Sequence, residues 1–286
     1  MKSVLEVIQS TTSYFAKNEV ESPRLNIEHL LAHTLGKKSR MELYTEFDRP
    51  LGESVLSPLR ELVKRRASGE PLQHLLGSVD FLGKTFRCDA RALIPRPETE
   101  ELICLLRDHP GFVGTPPPRL ADIGTGSGII ALSLANLWQT AEVHAVDISS
   151  DALSLAKENA ASLNLSERIH FHQGSLSAPL NPTFQLIVAN LPYIPTNDIA
   201  SLSREVQRDP LLALDGGPDG LSLIRQLIAD IASRNSPPLL HGLLALEIGE
   251  EQSDQVCELL NSTNFTQITP LRDLQGRQRF VLASHG

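Results

Sequence analysis

Apolar positions recur at helical spacing through residues 1 to about 70. Val4, Leu5, Ile8 and Tyr14-Phe15 mark a first helix. Ser22-Pro23 predicts an N-cap with proline at the first helical position of a second. Ile27, Leu30, Leu31 and Leu35 continue it, and Gly36 can close it. Ser39 with Met41–Tyr44 predicts a short third helix, and Val55–Arg66 a fourth that ends near Gly69. The pattern then changes. Leu75–Cys88 has strand composition on either side of Leu82-Gly83, which predicts a β-hairpin. Pro95 and Pro97 stiffen the segment that follows, and a helix is expected over Glu98–Arg107. Pro110–Pro118 is a glycine- and proline-rich loop.

From Arg119 onward, short apolar runs alternate with amphipathic stretches, as in a doubly wound parallel sheet. Strands are expected at Leu120–Ile123, Glu142–Asp147, Arg168–His172, Phe184–Ala189 and Leu239–Ile248. Helices are expected at Ile129–Leu137, Ser150–Leu163, Leu221–Ser233 and Glu250–Leu260. Phe265–Thr269 and Arg279–Leu282 would add an antiparallel pair, and Pro195–Asp219 is a long polar loop.

Composition narrows the field. The chain has 286 residues and a formal net charge of −8, which disfavours a nucleic-acid backbone as partner. The one compact basic run, Lys64-Arg-Arg66, reads as a solvated helix face. No apolar run approaches the ~20 residues of a membrane span, and the first residues lack the apolar core of a signal peptide. A cytoplasmic protein is expected. Cys88, Cys104 and Cys257 lie far apart and form neither a metal spacing nor a disulfide framework. His170 and His172 would share one face of a strand, but no third ligand is apparent; they read as sheet residues, and no metal is expected.

Two segments carry chemistry. Asp122-Ile-Gly-Thr-Gly-Ser-Gly128 joins a strand to a helix, and the next strand ends in Asp147. Its glycines run G-x-G-x-G, without the spacing that seats a pyrophosphate and without a P-loop lysine. The pattern suits a ligand with a ribose and an amino-acid tail, S-adenosylmethionine. The backbone over Gly124, Thr125, Gly126, Ser127 and Gly128 would take the methionine end, and Asp147 the ribose hydroxyls. The second segment is Asn190-Leu-Pro-Tyr193, at the expected carboxyl end of a central strand. The Asn190 side-chain oxygen and the Leu191 carbonyl, fixed by Pro192, would accept the two hydrogens of a planar NH2 group while Tyr193 covers its face.

These residues resemble the bacterial and organellar peptide chain release factor glutamine methyltransferases, the PrmC or HemK group. The resemblance extends over nearly the whole chain: Gly69–Gln73, Leu93–Glu100, Asp122–Gly128, Asn190–Tyr193, Ala213–Gly217, Leu246–Gly249 and Arg272–Arg277 all share it. It implies a Rossmann-like class I methyltransferase fold, α/β with a seven-stranded, mostly parallel sheet, preceded by a small helical domain and a β-hairpin linker. The expected boundaries are 1–70 for the helical domain, which would dock the substrate, 71–96 for the linker and 97–286 for the methyltransferase domain. It further implies methyl transfer to the glutamine of the Gly-Gly-Gln motif of class I release factors, by a monomer, with Asn190 and Tyr193 as catalytic residues. Alternatives within the enzyme class are a ribosomal-protein glutamine and an adenine-N6 target; a silent binding protein is the alternative outside it. The family tetrapeptide is most often N-P-P-Y, and Leu191 replaces its second residue. Where the family often has Asp-Trp after the third strand, this chain has Ser175-Leu176; Leu176 can still pack on adenine.

Overall fold

The first helix starts where side chains replace missing backbone partners. In the computed structural model, the Ser3 hydroxyl accepts from Glu6 N–H at 3.3 Å, and the Glu6 carboxylate accepts from Ser3 N–H at 2.8 Å. Residues 2–181, 183–233 and 238–286 are described. The chain divides into two units: Met1–Ser78 with Ser203–Arg208, and Val79–Leu202 with Asp209–Gly286.

The first unit contains α1 (Val4–Lys17), α2 (Pro23–Thr34), a 3-10 turn at Arg40–Thr45, α3 (Glu53–Ala67) and the short α4 (Leu72–Leu76). Ile8, Phe15, Ile27, Leu30, Leu31 and Leu43 form its core. Each such side chain contributes about 1.5–3 kcal/mol by leaving water. Two expectations need correction. Ser22 does not cap α2 through its side chain; its backbone is left-handed (φ 46°) instead of the extended form a capping hydroxyl requires. The run Lys64–Arg66 is not wholly solvated either. Lys64 and Arg65 are exposed, but Arg66 is buried. Its guanidinium donates to the Asn26 side-chain oxygen at 2.6 Å, to the Glu70 carbonyl at 3.2 Å and to the Glu205 carboxylate. A buried guanidinium requires such partners, and Glu205 explains why Ser203–Arg208 belongs to this unit.

The second unit is a three-layer sandwich. A hairpin of β1 (Ser78–Phe81) and β2 (Lys84–Arg87) turns through Leu82 and Gly83, both with positive φ. After α5 (Pro97–Arg107) the main sheet begins. Its strands are β3 (Arg119–Ile123), β4 (Glu142–Asp147), β5 (Ile169–Gln173), β6 (Phe184–Asn190), β7 (Leu239–Glu247), β8 (Phe265–Arg272) and β9 (Gln278–His285). They lie in the order β5-β4-β3-β6-β7-β9-β8. The first five are parallel, and β9 runs antiparallel to both β7 and β8. One face packs against α5, α6 (Ile129–Leu137) and α7 (Ser150–Ser162), and the other against α8 (Ser222–Ser233) and α9 (Ser253–Asn261). This is the seven-stranded, Rossmann-like architecture expected from the sequence. Among the described residues no helix is long and apolar enough to cross a membrane.

The chain order reverses between β3 and β6, since β4 and β5 lie to one side of that pair and β7 to the other. Open α/β sheets hold ligands outside the carboxyl ends of the strands at such a reversal.

Candidate active site

A cavity of about 190 Å³ opens at that reversal. Its first wall is the turn after β3. Gly124, Gly126 and Gly128 all have positive φ (74°, 56° and 82°), a region that side chains other than glycine's enter only with strain. Gly124 N–H and Thr125 N–H both donate to the Val146 carbonyl at 2.9 Å, which ties the turn to β4. Asp147 then holds the turn from the side. Its carboxylate accepts from Gly126 N–H at 2.8 Å and from Ser149 N–H at 2.9 Å. Each oxygen retains a further lone pair for a ligand hydroxyl.

Asp122 lies beneath the turn and is fully buried. One oxygen accepts from the Thr125 hydroxyl at 2.6 Å and from Ala131 N–H at 3.0 Å, in the first turn of α6. The other has no protein partner. Burial pushes this carboxyl up to about 7, and the two hydrogen bonds oppose that rise.

The second wall is assembled from remote segments. Asn190 ends β6 and pairs in register with Glu247 at the end of β7. The Asn190 side-chain NH2 donates to the Thr99 hydroxyl at 3.2 Å, and that hydroxyl donates to the Glu247 carboxylate at 2.8 Å. A hydroxyl has one hydrogen. Because Thr99 gives it to Glu247, it accepts from Asn190, and the Asn190 oxygen is left for another donor. Glu247 is buried, and burial pushes it up to about 7 against the Thr99 hydrogen bond. A second buried acid, Asp209, accepts from Arg96 at 2.9 Å and from Ile94 N–H at 3.3 Å; burial raises it to about 6.

The strand end is also backed from behind. A Cβ added at Gly220 would stand 2.3 Å from the Tyr193 carbonyl, so no larger residue fits there. The same carbonyl accepts from the Gln252 side chain at 2.8 Å.

Of the residues singled out in the sequence, Gly124, Thr125, Gly126, Ser127, Asp147, Leu176, Asn190, Leu191 and Pro192 all line the cavity. Leu176 does so with a left-handed backbone (φ 48°). Gly128 and Tyr193 do not line it. Gly128 faces the other way: a Cβ there would meet Leu132 at 3.0 Å and Ala156 at 3.1 Å, so it serves the packing of α6 on α7. Tyr193 is half-buried; burial and then the nearby Glu247 carboxyl push its phenol up. Sequence reading missed Thr99, Glu247, Arg96 and Asp209 as site residues. A signal existed for Glu247, which ends an apolar strand as Asp147 and Asn190 do. Thr99 has none of its own.

The arrangement supplies, in one cavity, a glycine turn with an anchored carboxylate, apolar walls from Ala92, Ile148 and Leu176, and an oriented amide oxygen. The donor set fits an adenosyl cofactor with an amino-acid tail. Spare carboxylate lone pairs at Asp147 match a ribose diol, and the apolar walls match a flat base.

Known proteins resemble the chain along nearly its whole length. A family described as "PrmC N-terminal domain" matches residues 6–77, and one described as "Methyltransferase domain" matches residues 120–209. The chain is 39% identical over 279 residues to the release factor glutamine methyltransferase of Deinococcus radiodurans, covering 97% of each chain. It is 40% identical over 272 residues to that of Moorella thermoacetica, covering 94% of this chain and 93% of the other. Among solved structures, the catalytic domain of hMettl16 in complex with MAT2A 3′UTR hairpin 6 is similar in fold (TM-score 0.59, 20% identity, 79% of this chain and 82% of that one). So is the 16S rRNA N2 G1207 methyltransferase RsmC of T. thermophilus in complex with AdoMet and guanosine (TM-score 0.51, 17% identity, 73% and 50%).

Proposed function

The chain belongs to the release factor glutamine methyltransferase family, and from that premise we propose that it methylates the side-chain amide nitrogen (N5) of the glutamine in the Gly-Gly-Gln motif of class I peptide chain release factors, with S-adenosylmethionine as donor. The observation that carries the reading is the orientation of Asn190: its NH2 is engaged by Thr99, and its oxygen remains to accept.

The bound cofactor supplies an electrophilic methyl group on a sulfonium. Gly124–Ser127 and Asp147 would hold it, with Leu176 against the adenine. The rest of the task falls to the other wall. An amide nitrogen is a weak nucleophile because its lone pair is delocalised into the carbonyl. The Asn190 side-chain oxygen and the Leu191 carbonyl accept its two hydrogens and fix its direction of attack; holding the reacting atoms at ~3–3.5 Å recovers much of the entropic barrier. As positive charge develops on nitrogen, both hydrogen bonds strengthen, so they stabilise the transition state more than the ground state. Leu191 supplies this carbonyl as well as the proline more common there. The surplus proton leaves after transfer. Exposed Ile148 and Leu212 at the cavity rim suit a peptide better than a bare ion. The helical N-terminal unit, with exposed Tyr14, Leu25, Met41 and Tyr44, would help grip the protein substrate.

The test incubates the protein with methyl-labelled S-adenosylmethionine and a class I release factor, beside a Gly-Gly-Ala version of that factor and a DNA duplex. Label on the intact factor alone is expected. Label on the Gly-Gly-Ala factor or on DNA overturns the assignment of the target.

A further inference from the structure

The sheet brings together a second group of side chains, away from the glycine turn. Glu142 and His144 alternate along β4, and His170 and His172 alternate along the edge strand β5. The two strands are parallel with His144 opposite His170, so all four side chains share one face. The other face of these strands is apolar, with Val143, Ala145 and Ile169 in the core beneath α6 and α7. The spacing of His170 and His172 alone offered only two ligands. The register adds the third and fourth, which sequence spacing does not reveal.

We propose that Glu142, His144 and His170 form a binding site for a divalent transition cation of the zinc class, with His172 orienting His144. One ligand atom from each of the three lies within 4.8 Å of the others. In a tetrahedral zinc site, ligand atoms at ~2.0–2.1 Å from the metal stand about 3.3 Å apart. The exposed His170 can close the difference by side-chain rotation, whereas His144 is buried and fixed. His144 Nε2 already lies 2.9 Å from one Glu142 oxygen. Its Nδ1 lies 2.9 Å from His172 Nε2. That is the usual second contact of a ligating histidine, whose free ring N–H is held by an acceptor that fixes tautomer and ring direction. The rings of His144 and His172 are nearly coplanar in orientation, 3° apart, with centroids at 5.0 Å. The edge of His144 is closed by Phe184 at 5.0 Å.

Two nitrogens and one oxygen suit zinc, nickel or copper better than magnesium or calcium, which take oxygen. Three protein ligands leave a position for water. Arg119 donates to the second Glu142 oxygen at 2.9 Å and offsets the only negative charge in the group. A bound ion would pin the edge strand β5 to β4.

The test titrates the metal-free, full-length protein with Co2+, followed by its visible absorption, and with Zn2+, followed by calorimetry and melting temperature. One equivalent is expected to bind, with imidazole-type cobalt bands and a raised melting temperature. His170→Ala should abolish stoichiometric binding. His172→Ala should weaken it by roughly 10–100-fold, the usual effect of losing an orienting partner. His33→Ala, an exposed histidine of the first unit, should change nothing. Circular dichroism of each variant establishes that it is folded. No binding to the parent protein overturns the proposal, as does binding that His170→Ala leaves intact; Glu142, His144 and His172 are then a hydrogen-bonded chain only.

Discussion

The two walls of the cavity are built in opposite ways. The glycine-turn wall is local: Asp122, Gly124–Gly128 and Asp147 come from two successive strand ends, and main-chain hydrogen bonds hold most of it. The Asn190 wall is assembled across 91 residues to Thr99 and a further 148 from Thr99 to Glu247, and side chains hold it. The difference teaches where each wall is vulnerable. Damage to the local wall should appear first as lost stability, because the turn is also a packing element. Damage to the remote wall should appear first as lost turnover, because its side chains only aim one amide.

The largest test is Asn190→Ala. Removal of one preorganised polar group facing developing charge costs ~10²–10³ in rate. That loss is expected in kcat with release factor as substrate, with cofactor affinity measured by calorimetry nearly unchanged. A variant with near-normal turnover would remove the remote wall from the chemistry altogether.

Gly128→Ala tests the local wall where it packs against α6 and α7. The substitution combines a positive φ of 82° with contacts at 3.0 Å to Leu132 and 3.1 Å to Ala156. Left-handed strain of about 1–2 kcal/mol and overpacking of about 1–3 kcal/mol predict a total loss of about 2–5 kcal/mol in urea unfolding. Gly126→Ala shares the strain but meets only Ala92 at 3.8 Å. It should lose about 1–2 kcal/mol, and equal losses at both positions would show that packing of α6 on α7 is not what Gly128 serves.

Asp122 gives the local wall a pH dependence. Its carboxyl is raised to about 7 in the folded protein, against an ordinary aspartate value of about 3.9 in the unfolded chain. Between those values the native state holds a proton that the unfolded chain has released. Stability contributed by this group is therefore full below about pH 4, falls as pH rises toward 7 and falls no further above it. From pH 5 to pH 8 the loss is on the order of 2–3 kcal/mol. Asp122→Asn should flatten that part of the curve when urea midpoints are compared at the two pH values. Parallel curves for parent and variant would show that Asp122 is ionised throughout.

The same contrast explains what could be read from the sequence. Nearly every element of the second unit was legible, because buried parallel strands such as Phe184–Asn190 are continuous apolar runs and their helices are long. The local wall was legible for a related reason: Asp122, the glycines and Asp147 keep fixed sequence distances. In the first unit α4 was missed, since five residues are too short to show a period. Arg66 was misread because its partner Glu205 lies 139 residues away. Thr99 and the histidine group escaped for one physical reason, that strand register and helix docking decide their neighbours. Spacing along the chain shows His170 with His172, but only the pairing of β4 with β5 adds His144 and Glu142.

The smallest effect, and the sharpest test of the remote wall, is expected at Thr99. Thr99→Val keeps the shape and removes the hydroxyl. The Asn190 NH2 loses the Thr99 acceptor and is left to Glu247 alone, and the buried Glu247 loses a donor. A net hydrogen bond of about 0.5–1.5 kcal/mol corresponds to a loss of up to about tenfold in kcat, and Thr99→Ser should restore it. The effect has a pH signature. Ionised Glu247 only accepts, so Thr99 must donate to it and accept from Asn190. Below about 7 Glu247 is protonated and competes with the Asn190 NH2 as a donor to the Thr99 hydroxyl, which weakens the hold on the amide. Turnover of the parent should therefore fall as pH drops through about 7, and the fall should be absent in Thr99→Val, where no hydroxyl transmits it. If Thr99→Val keeps the same acid limb as the parent, Glu247 acts on the amide by another route, and the relay through Thr99 is only structural.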